Sequence, residues 1–293
     1  MKVLVFGGSG FLGSHVADEL SNKGYEVTIF DQNQSAYLRH GQKMIIGDML
    51  NLQNVSDAVN GCDVVYNFAG IADLDDSTTK PLETVRLNIE GNVNILDASV
   101  QRGVKRFVYA SSIYVYSNKG GFYRCSKQAA EGYVEEFHNK FGLNFNILRY
   151  GTLYGPRATN SNSIYRYLFQ ALKEGRILVA GDGEELREYI HVRDAAKLSV
   201  KILDEEFKNQ HIIITGHQAI QFKYLLSMIK EILNNSINIE FQPGSNPAHY
   251  TITPYNYFPK VGLKLTTNYY TDMGQGLLEC LSEIDQEISL FSK

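Results

Sequence analysis

The chain has 293 residues, 44% hydrophobic and 20% charged, with a formal net charge of −4. That length can bury a large core, and the mild negative charge with no basic, aromatic-laced run excludes a nucleic-acid surface. No apolar stretch reaches membrane-spanning length, and three widely spaced cysteines (Cys62, Cys125, Cys280) without a CxxC pair exclude a disulfide framework or a zinc site and fit a reducing cytosol.

Val3–Phe6 is a short β-branched and aromatic run, the pattern of a buried strand. Lys2 before it mimics a leader peptide, but glycines break the apolar run after four residues. Gly7, Gly10 and Gly13 then form a spaced turn beside Gly8, and Phe11, Leu12, Val16 and Leu20 recur at helical spacing. Strand, glycine turn and helix together form a phosphate cradle: the glycines allow a tight turn and close backbone approach, and the helix N-terminus offers free N–H groups. Taken alone, such a turn also serves many α/β proteins with no ligand there.

A second strand at 26–30 ends at Asp31, about eighteen residues beyond the last glycine. A carboxylate at that place accepts from adenine ribose hydroxyls and repels a 2′-phosphate, which favours NAD over NADP. A turn or helix-cap aspartate is the plainer alternative. A third strand is expected at 43–47, followed by Asp48, then a helix at 51–59, a fourth strand at 63–66 and the turn Asn67-Phe68-Ala69-Gly70. The pattern predicts one long helix over 82–102, with Gly91 inside it. A glycine there costs roughly 1 kcal/mol, which implies close packing of a neighbour. A fifth strand (105–110) runs into Ser111-Ser112, a helix covers 123–141, and a sixth strand covers 145–149. Strands alternating with helices imply a doubly wound parallel sheet with right-handed crossovers.

After Tyr154-Gly155-Pro156-Arg157 the composition turns more polar. Helices are expected near 164–174, 194–206, 221–233 and 272–288, with strands near 177–180, 211–215 and 237–241. The proline-bearing stretch 242–259 is expected to be irregular. The reading divides the chain into a cofactor domain over 1–160 and a smaller α/β substrate lobe over 161–293, with elements near 191–215 returning to the main sheet.

The chemistry concentrates in Ser112, Tyr123 and Lys127. Tyr123 and Lys127 lie four apart on a predicted helix and so share a face. A tyrosine with a pKa near 10 is about one part in a thousand ionised at pH 7, a deficit of about 4 kcal/mol. A lysine ammonium about 4 Å away in a partly screened site can supply about that much, and a positively charged nicotinamide ring nearby adds to it, making the phenol a usable general base. Ser112, at the carboxyl end of a strand, stands where open α/β sheets bind ligands.

In these motifs the chain resembles the extended short-chain dehydrogenase/reductases, specifically the nucleotide-sugar epimerase/dehydratase family. Gly7–Gly13 resembles GGxGFxG, Ser111–Tyr116 resembles the start of SSxxVYG, and Tyr123–Lys127 resembles YGxSK, with the customary Glu at Glu131. Leu148–Arg157 resembles LRxxNVYGPR, Arg187–Asp194 resembles RDFIHVxD, and Asn88 with Gly91 matches NxxGT except that Asn92 replaces the threonine. The resemblance implies a Rossmann-type doubly wound sheet. It implies an NAD site using Gly7, Gly10, Phe11, Leu12, Asp31, Asp48, Met49, Ala69, Tyr123 and Lys127. It also implies a nucleotide-diphosphate sugar held by Ser112, Thr152, Asn162 and Arg187, with Arg187 and Asn162 on the diphosphate. Ser112, Tyr123 and Lys127 are the implied catalytic residues. No nucleic-acid or membrane partner is expected. A cytoplasmic homodimer paired through the helices near 82–102 and 123–141 is.

Departures from the family pattern narrow the activity. Ser112-Ile113-Tyr114 replaces the Thr-Asp-Glu of the 4,6-dehydratases and lacks the decarboxylases' Glu. Oxidation at C4 remains, as a 4-epimerase or as a net 4-dehydrogenase releasing a ketosugar for surface polysaccharides; a non-catalytic NAD-binding regulator is the third reading. Only ten residues separate Ser112 from Tyr123, where relatives carry a longer loop, so the wall beside the sugar should be reshaped. Arg124 for Gly, Thr152 for Asn and Gln242 for Arg further separate this chain from its relatives and leave the sugar open.

Overall fold

The computed structural model describes residues 1–242 and 249–255. Seven strands form one parallel sheet: β1 (Lys2–Phe6), β2 (Glu26–Asp31), β3 (Lys43–Ile46), β4 (Val64–Asn67), β5 (Arg106–Ser112), β6 (Phe145–Tyr150) and, last in the chain, a strand at Gln210–Ile214. From β1 the sheet runs outward to β2 and β3 on one side, and to β4, β5, β6 and Gln210–Ile214 on the other. β1 and β4 are therefore the switch point, where the loops after two neighbouring strands diverge and leave a crevice. The expected doubly wound parallel sheet is what the chain forms.

The first part of the chain supplies the covering helices: α1 (Phe11–Asn22), α2 (Leu52–Val59), α3 (Leu74–Thr79), α4 (Pro81–Val85), α5 (Gly91–Gln101) and α6 (Gly121–Phe141). One core packs Leu4, Phe6, Phe107 and Ile147 under α2, α5 and α6; the other packs Val3, Val5, Val108 and Leu148 under α1 and a later helix. Alternate residues of each strand feed opposite faces, which is why the strands read as nearly continuous apolar runs.

The later chain contributes β7 (Thr152–Tyr154), α7 (Ser163–Glu174), β8 (Arg176–Ala180), β9 (Leu186–His191), α8 (Val192–Lys201), β10 (the Gln210–Ile214 strand), β11 (Ala219–Gln221), α9 (Phe222–Ile232) and β12 (Asn238–Gln242). α8 packs on α1, and β10 pairs with β6. A separate small core joins Ala171, Ile177, Val179, Leu226 and Ile229 under the parallel pair β8–β12. Among the described residues no helix is long and apolar enough to cross a membrane.

Several expectations are corrected. The helix over 82–102 is interrupted by a π turn at Arg86–Glu90, which bulges Asn88 toward its partners. The helix near 194–206 stops at Lys201, and a short 3-10 turn at Glu205–Phe207 follows. β7, β9, β11 and α3 carry no clear periodicity; β9 lies between two partners, parallel to β7 and antiparallel to β11, in a three-stranded sheet too short to register as alternation. The helix at 272–288, Cys280 and most of the irregular stretch at 242–259 fall outside the described residues. Within that stretch, 249–255 has only an isolated bridge, Leu186 to Ile252. Gly91 faces Met49, whose side chain occupies the space a Cβ would need, so the expected close neighbour is there.

Candidate active site

The glycine turn closes against the loop after β4. Gly7 adopts φ +72°, and a Cβ on it would lie 2.6 Å from the Ala69 nitrogen. Its N–H donates to the Phe30 carbonyl at 2.9 Å, which binds the turn to the end of β2. Gly13 packs onto the Gly7 carbonyl, so the first turn of α1 sits directly behind the cradle. Gly7, Gly10, Asp31, Met49 and Ala69 all line the groove that results. Asp31 accepts from the Ser9 N–H at 3.1 Å through one oxygen and from the Asn33 N–H at 3.1 Å through the other. Its carboxylate thus organises the turn and keeps further lone pairs for a ribose hydroxyl. Asp48 accepts from the Leu50 N–H at 2.9 Å, while Phe11 and Leu12 form the first turn of α1, with Leu12 packed on the core. A glycine cradle that any side chain would fill, with an acceptor at the β2 end, fits a dinucleotide such as NAD.

Beyond the cradle, Ser112, Thr152, Asn162, Arg187 and Tyr123 line one cavity. They come from the end of β5, β7, the cap of α7, β9 and the first turn of α6. Ser112 caps the short 3-10 turn Ile113–Tyr116 by accepting from the Tyr114 N–H at 3.3 Å. Asn162 accepts from the Tyr165 N–H at 3.1 Å and donates to the Leu153 carbonyl at 2.8 Å, so it also serves as the cap of α7. Arg166 and Arg187 bring two guanidiniums to the cavity, a combination suited to a phosphate-bearing ligand.

Tyr123 is 8% exposed and Lys127 is 6% exposed, one turn along α6. Lys127 Nζ donates to the Ala110 carbonyl at 2.8 Å and stands 5.8 Å from the Tyr123 ring centre. Burial pushes Tyr123 up to about 12, against the opposing hydrogen bond from Ser112. Burial also brings Lys127 down to about 8, opposed by the Glu131 charge. Removing the two groups from water disfavours the charged form of each.

The structure shows the contacts of two motif residues, Asn88 and Glu131, and adds an aromatic wall that the sequence did not reveal. Asn88, bulged by the π turn, accepts from the Ile71 N–H at 2.8 Å and donates to Ser126 Oγ at 2.9 Å, linking the loop after β4 to the helix of Tyr123 and Lys127. Glu131 accepts from Ser111 Oγ at 2.5 Å and from Arg149 at 3.0 and 2.6 Å, a buried bidentate pair behind Lys127. Tyr114 and Tyr250 form an aromatic wall of the cavity, their ring centres 4.7 Å apart, and Tyr114 Oη lies 2.6 Å from His249 Nδ1. Tyr114 is visible in sequence only as a departure from a motif, and nothing in spacing links it to a residue 135 positions later. The 113–122 stretch folds back through Gly120 at φ +93°, where a Cβ would strike the Tyr114 ring.

A family model described as the NAD dependent epimerase/dehydratase family matches residues 3–215. A UDP-N-acetyl-alpha-D-glucosaminuronate decarboxylase from Bacillus cytotoxicus is 28% identical over 268 residues, covering 83% of each chain. A putative UDP-glucose 4-epimerase from Methanocaldococcus jannaschii is 26% identical over 254 residues, covering 78% of this chain and 81% of its own. Among solved structures, a UDP-glucuronic acid 4-epimerase from Bacillus cereus, in complex with UDP-glucuronic acid and NAD, superposes with a TM-score of 0.80. It is 26% identical, covering 89% of this chain and 95% of its own.

Proposed function

The chain belongs to the NAD-dependent epimerase/dehydratase family and is an NAD-dependent enzyme, and from that premise we propose that it oxidises C4 of a nucleotide-diphosphate sugar as a 4-epimerase. One observation carries this reading: Ser112, Tyr123, Thr152, Asn162 and Arg187, from five separate segments, line one cavity. Arg187 and Arg166 hold the diphosphate, and the sugar extends toward Ser112 and Tyr123. NAD in the glycine groove supplies the hydride acceptor and a positive ring charge.

Tyr123 Oη takes the proton of the C4 hydroxyl while Ser112 Oγ holds that oxygen in place. A phenol held near 12 lies roughly 7 kcal/mol from its ionised form at pH 7, more than a single cation at 4 Å offsets in a partly screened site. Lys127 therefore acts together with the charge of the cofactor rather than alone. It stays oriented through the Ala110 carbonyl and in the field of Glu131. In the reverse step, as hydride returns to C4 on the other face of the turned sugar, Tyr123 gives the proton back to the ketone oxygen.

Decarboxylation, the activity named for the Bacillus cytotoxicus relative, finds less support here, because Tyr114 stands where the resemblance calls for a glutamate. Net 4-dehydrogenation is favoured by one feature, the compact 113–122 stretch, which leaves less wall to retain a ketosugar. The exposed apolar side chains Leu82 and Val85 on α4 and Phe122, Tyr133 and Phe141 on α6 support a homodimer paired through those helices. We place the enzyme in the cytosol, in the supply of sugars for surface polysaccharides.

Incubation of the NAD-loaded protein with a panel of nucleotide sugars tests the reading. A stereoisomer formed with no net redox is the expected result. Ketosugar with stable reduced cofactor selects the dehydrogenase. Full NAD binding with no conversion of any member overturns the enzymatic reading in favour of a regulator.

A further inference from the structure

A second cavity, of about 340 Å³, lies between α1, α8 and the Pro156–Arg157 turn, and it shares no lining residue with the cofactor groove or the sugar cavity. Four cationic side chains line it, Arg39, Arg157, Arg193 and Lys197, against two carboxylates, Asp18 and Glu19.

Arg157 is held there against two local penalties. Its backbone sits at φ +66°, the left-handed region that residues with a Cβ seldom adopt. Its guanidinium stacks over the Tyr37 ring at 4.5 Å and donates Nη2 to Asp18 at 2.7 Å, yet Nη1 is buried with no acceptor among the described residues. Buried donors are almost always paired, so an orphan on a guanidinium marks a missing acceptor. Strained backbone of this kind persists where surrounding structure enforces it, often at ligand clamps.

The neighbouring charges point the same way. Asp18 is already engaged by Arg157 and approached by Arg39 at 3.9 Å, and Arg39 also donates to Asn22 at 2.9 Å. Lys197 meets Asp194 at 3.6 Å in the open, where such a pair contributes little. The Arg193 guanidinium has no hydrogen bond or ion pair among the described residues. His15 is fixed by donating Nε2–H to the Pro156 carbonyl at 3.0 Å. Burial lowers its pKa against the hydrogen bond to Pro156, and the charges of Arg157 and Arg193 add to the lowering while Asp18 opposes it. The cavity is thus a region of positive potential in which one carboxylate is spent on orienting an arginine.

We propose that this cavity binds a phosphate group, as the inorganic ion or as a small phosphate monoester. Guanidinium forks at Arg157 and Arg193 match the oxygens of such an anion, Lys197 adds an unoriented charge, and the volume leaves room for an ester substituent.

Calorimetric titration tests the site on full-length protein saturated with NAD and UDP, so that the two sites already described are filled. The probes are inorganic phosphate and glucose 1-phosphate, each against chloride at matched ionic strength. Saturable binding at millimolar concentration is expected, weakened at least tenfold in Arg193→Gln and in Lys197→Gln. Neither change removes an internal contact beyond the exposed Asp194 pair, and thermal melts of both variants verify that they fold. Tighter binding of either probe supports the site and identifies the ion or the ester as its occupant. Binding no stronger than chloride, or equal in wild type and both variants, overturns it.

Discussion

The cofactor groove and the sugar cavity sit beside each other and are built by opposite means. The groove is built largely on backbone: the glycine turn at Gly7 and Gly10, the Asp31 carboxylate that braces it, and the loop after β4 at Phe68–Gly70. The cavity is made of side chains brought from β5, α6, β7, α7 and β9 and from the 249–250 segment. A backbone cradle tolerates change around it but not within it. A side-chain cavity can be re-lined one residue at a time.

The sharpest separation of the two comes from Tyr123, which belongs to the cavity. Tyr123→Phe should lower turnover about 1000-fold, within the range for a lost general base. NAD affinity measured by fluorescence titration should stay within a few-fold. Turnover near the wild-type value would remove Tyr123 from the proposed chemistry.

Lys127 carries a stability penalty that the groove does not. Its folded value near 8 lies below the ordinary lysine value of 10.5, so the unfolded chain binds the extra proton between those two pH values. Wild-type stability therefore gains from this residue as pH rises through that window, and the penalty is fully present below pH 8. Lys127→Met should stabilise the cofactor-free protein by about 2 kcal/mol at pH 7, after loss of the bond to Ala110, with the advantage shrinking toward pH 10. Urea unfolding at several pH values measures this; an advantage flat with pH would contradict it.

Within the groove, backbone and side-chain contacts should respond differently. A Cβ at Gly13 would strike the Gly7 carbonyl, which has nowhere to go, so Gly13→Ala should weaken NAD binding or stability by about 1–3 kcal/mol. At Gly91 the obstacle is the flexible end of Met49, and Gly91→Ala should change either quantity by less than about 1 kcal/mol. Equal effects would mean that the cradle is less rigid than its geometry implies.

The smallest effect concerns selectivity. Asp31→Asn keeps the shape of the brace under Ser9 and Asn33 but removes its charge. The ratio of NADP to NAD dissociation constants should fall about tenfold, the scale of one charge–charge term near a protein surface. An unchanged ratio would leave Asp31 a purely structural brace.

What was legible in the sequence follows how local each feature is. The individual strands of the main sheet, the glycine turn, Asp31, and the Tyr123–Lys127 spacing are each local to one element or turn, where periodicity and turn chemistry act over a few residues. Less visible were the π turn that aims Asn88, the three-stranded sheet of β7, β9 and β11, and the arginine cavity beside α8. Each depends on partners far along the chain. Gly91 is an intermediate case: its presence in a helix announced a close neighbour, and only the packing identified Met49.

The sequence by itself determined the glycine turn between β1 and α1 and the one-turn spacing of Tyr123 and Lys127, because turn chemistry and helical spacing are local properties. Tertiary structure alone decided that burial disfavours the charged forms of Tyr123 and Lys127, since desolvation is a property of everything packed around a group. It also decided that Tyr114, His249 and Tyr250 meet to wall the cavity, a contact between segments that no local pattern joins.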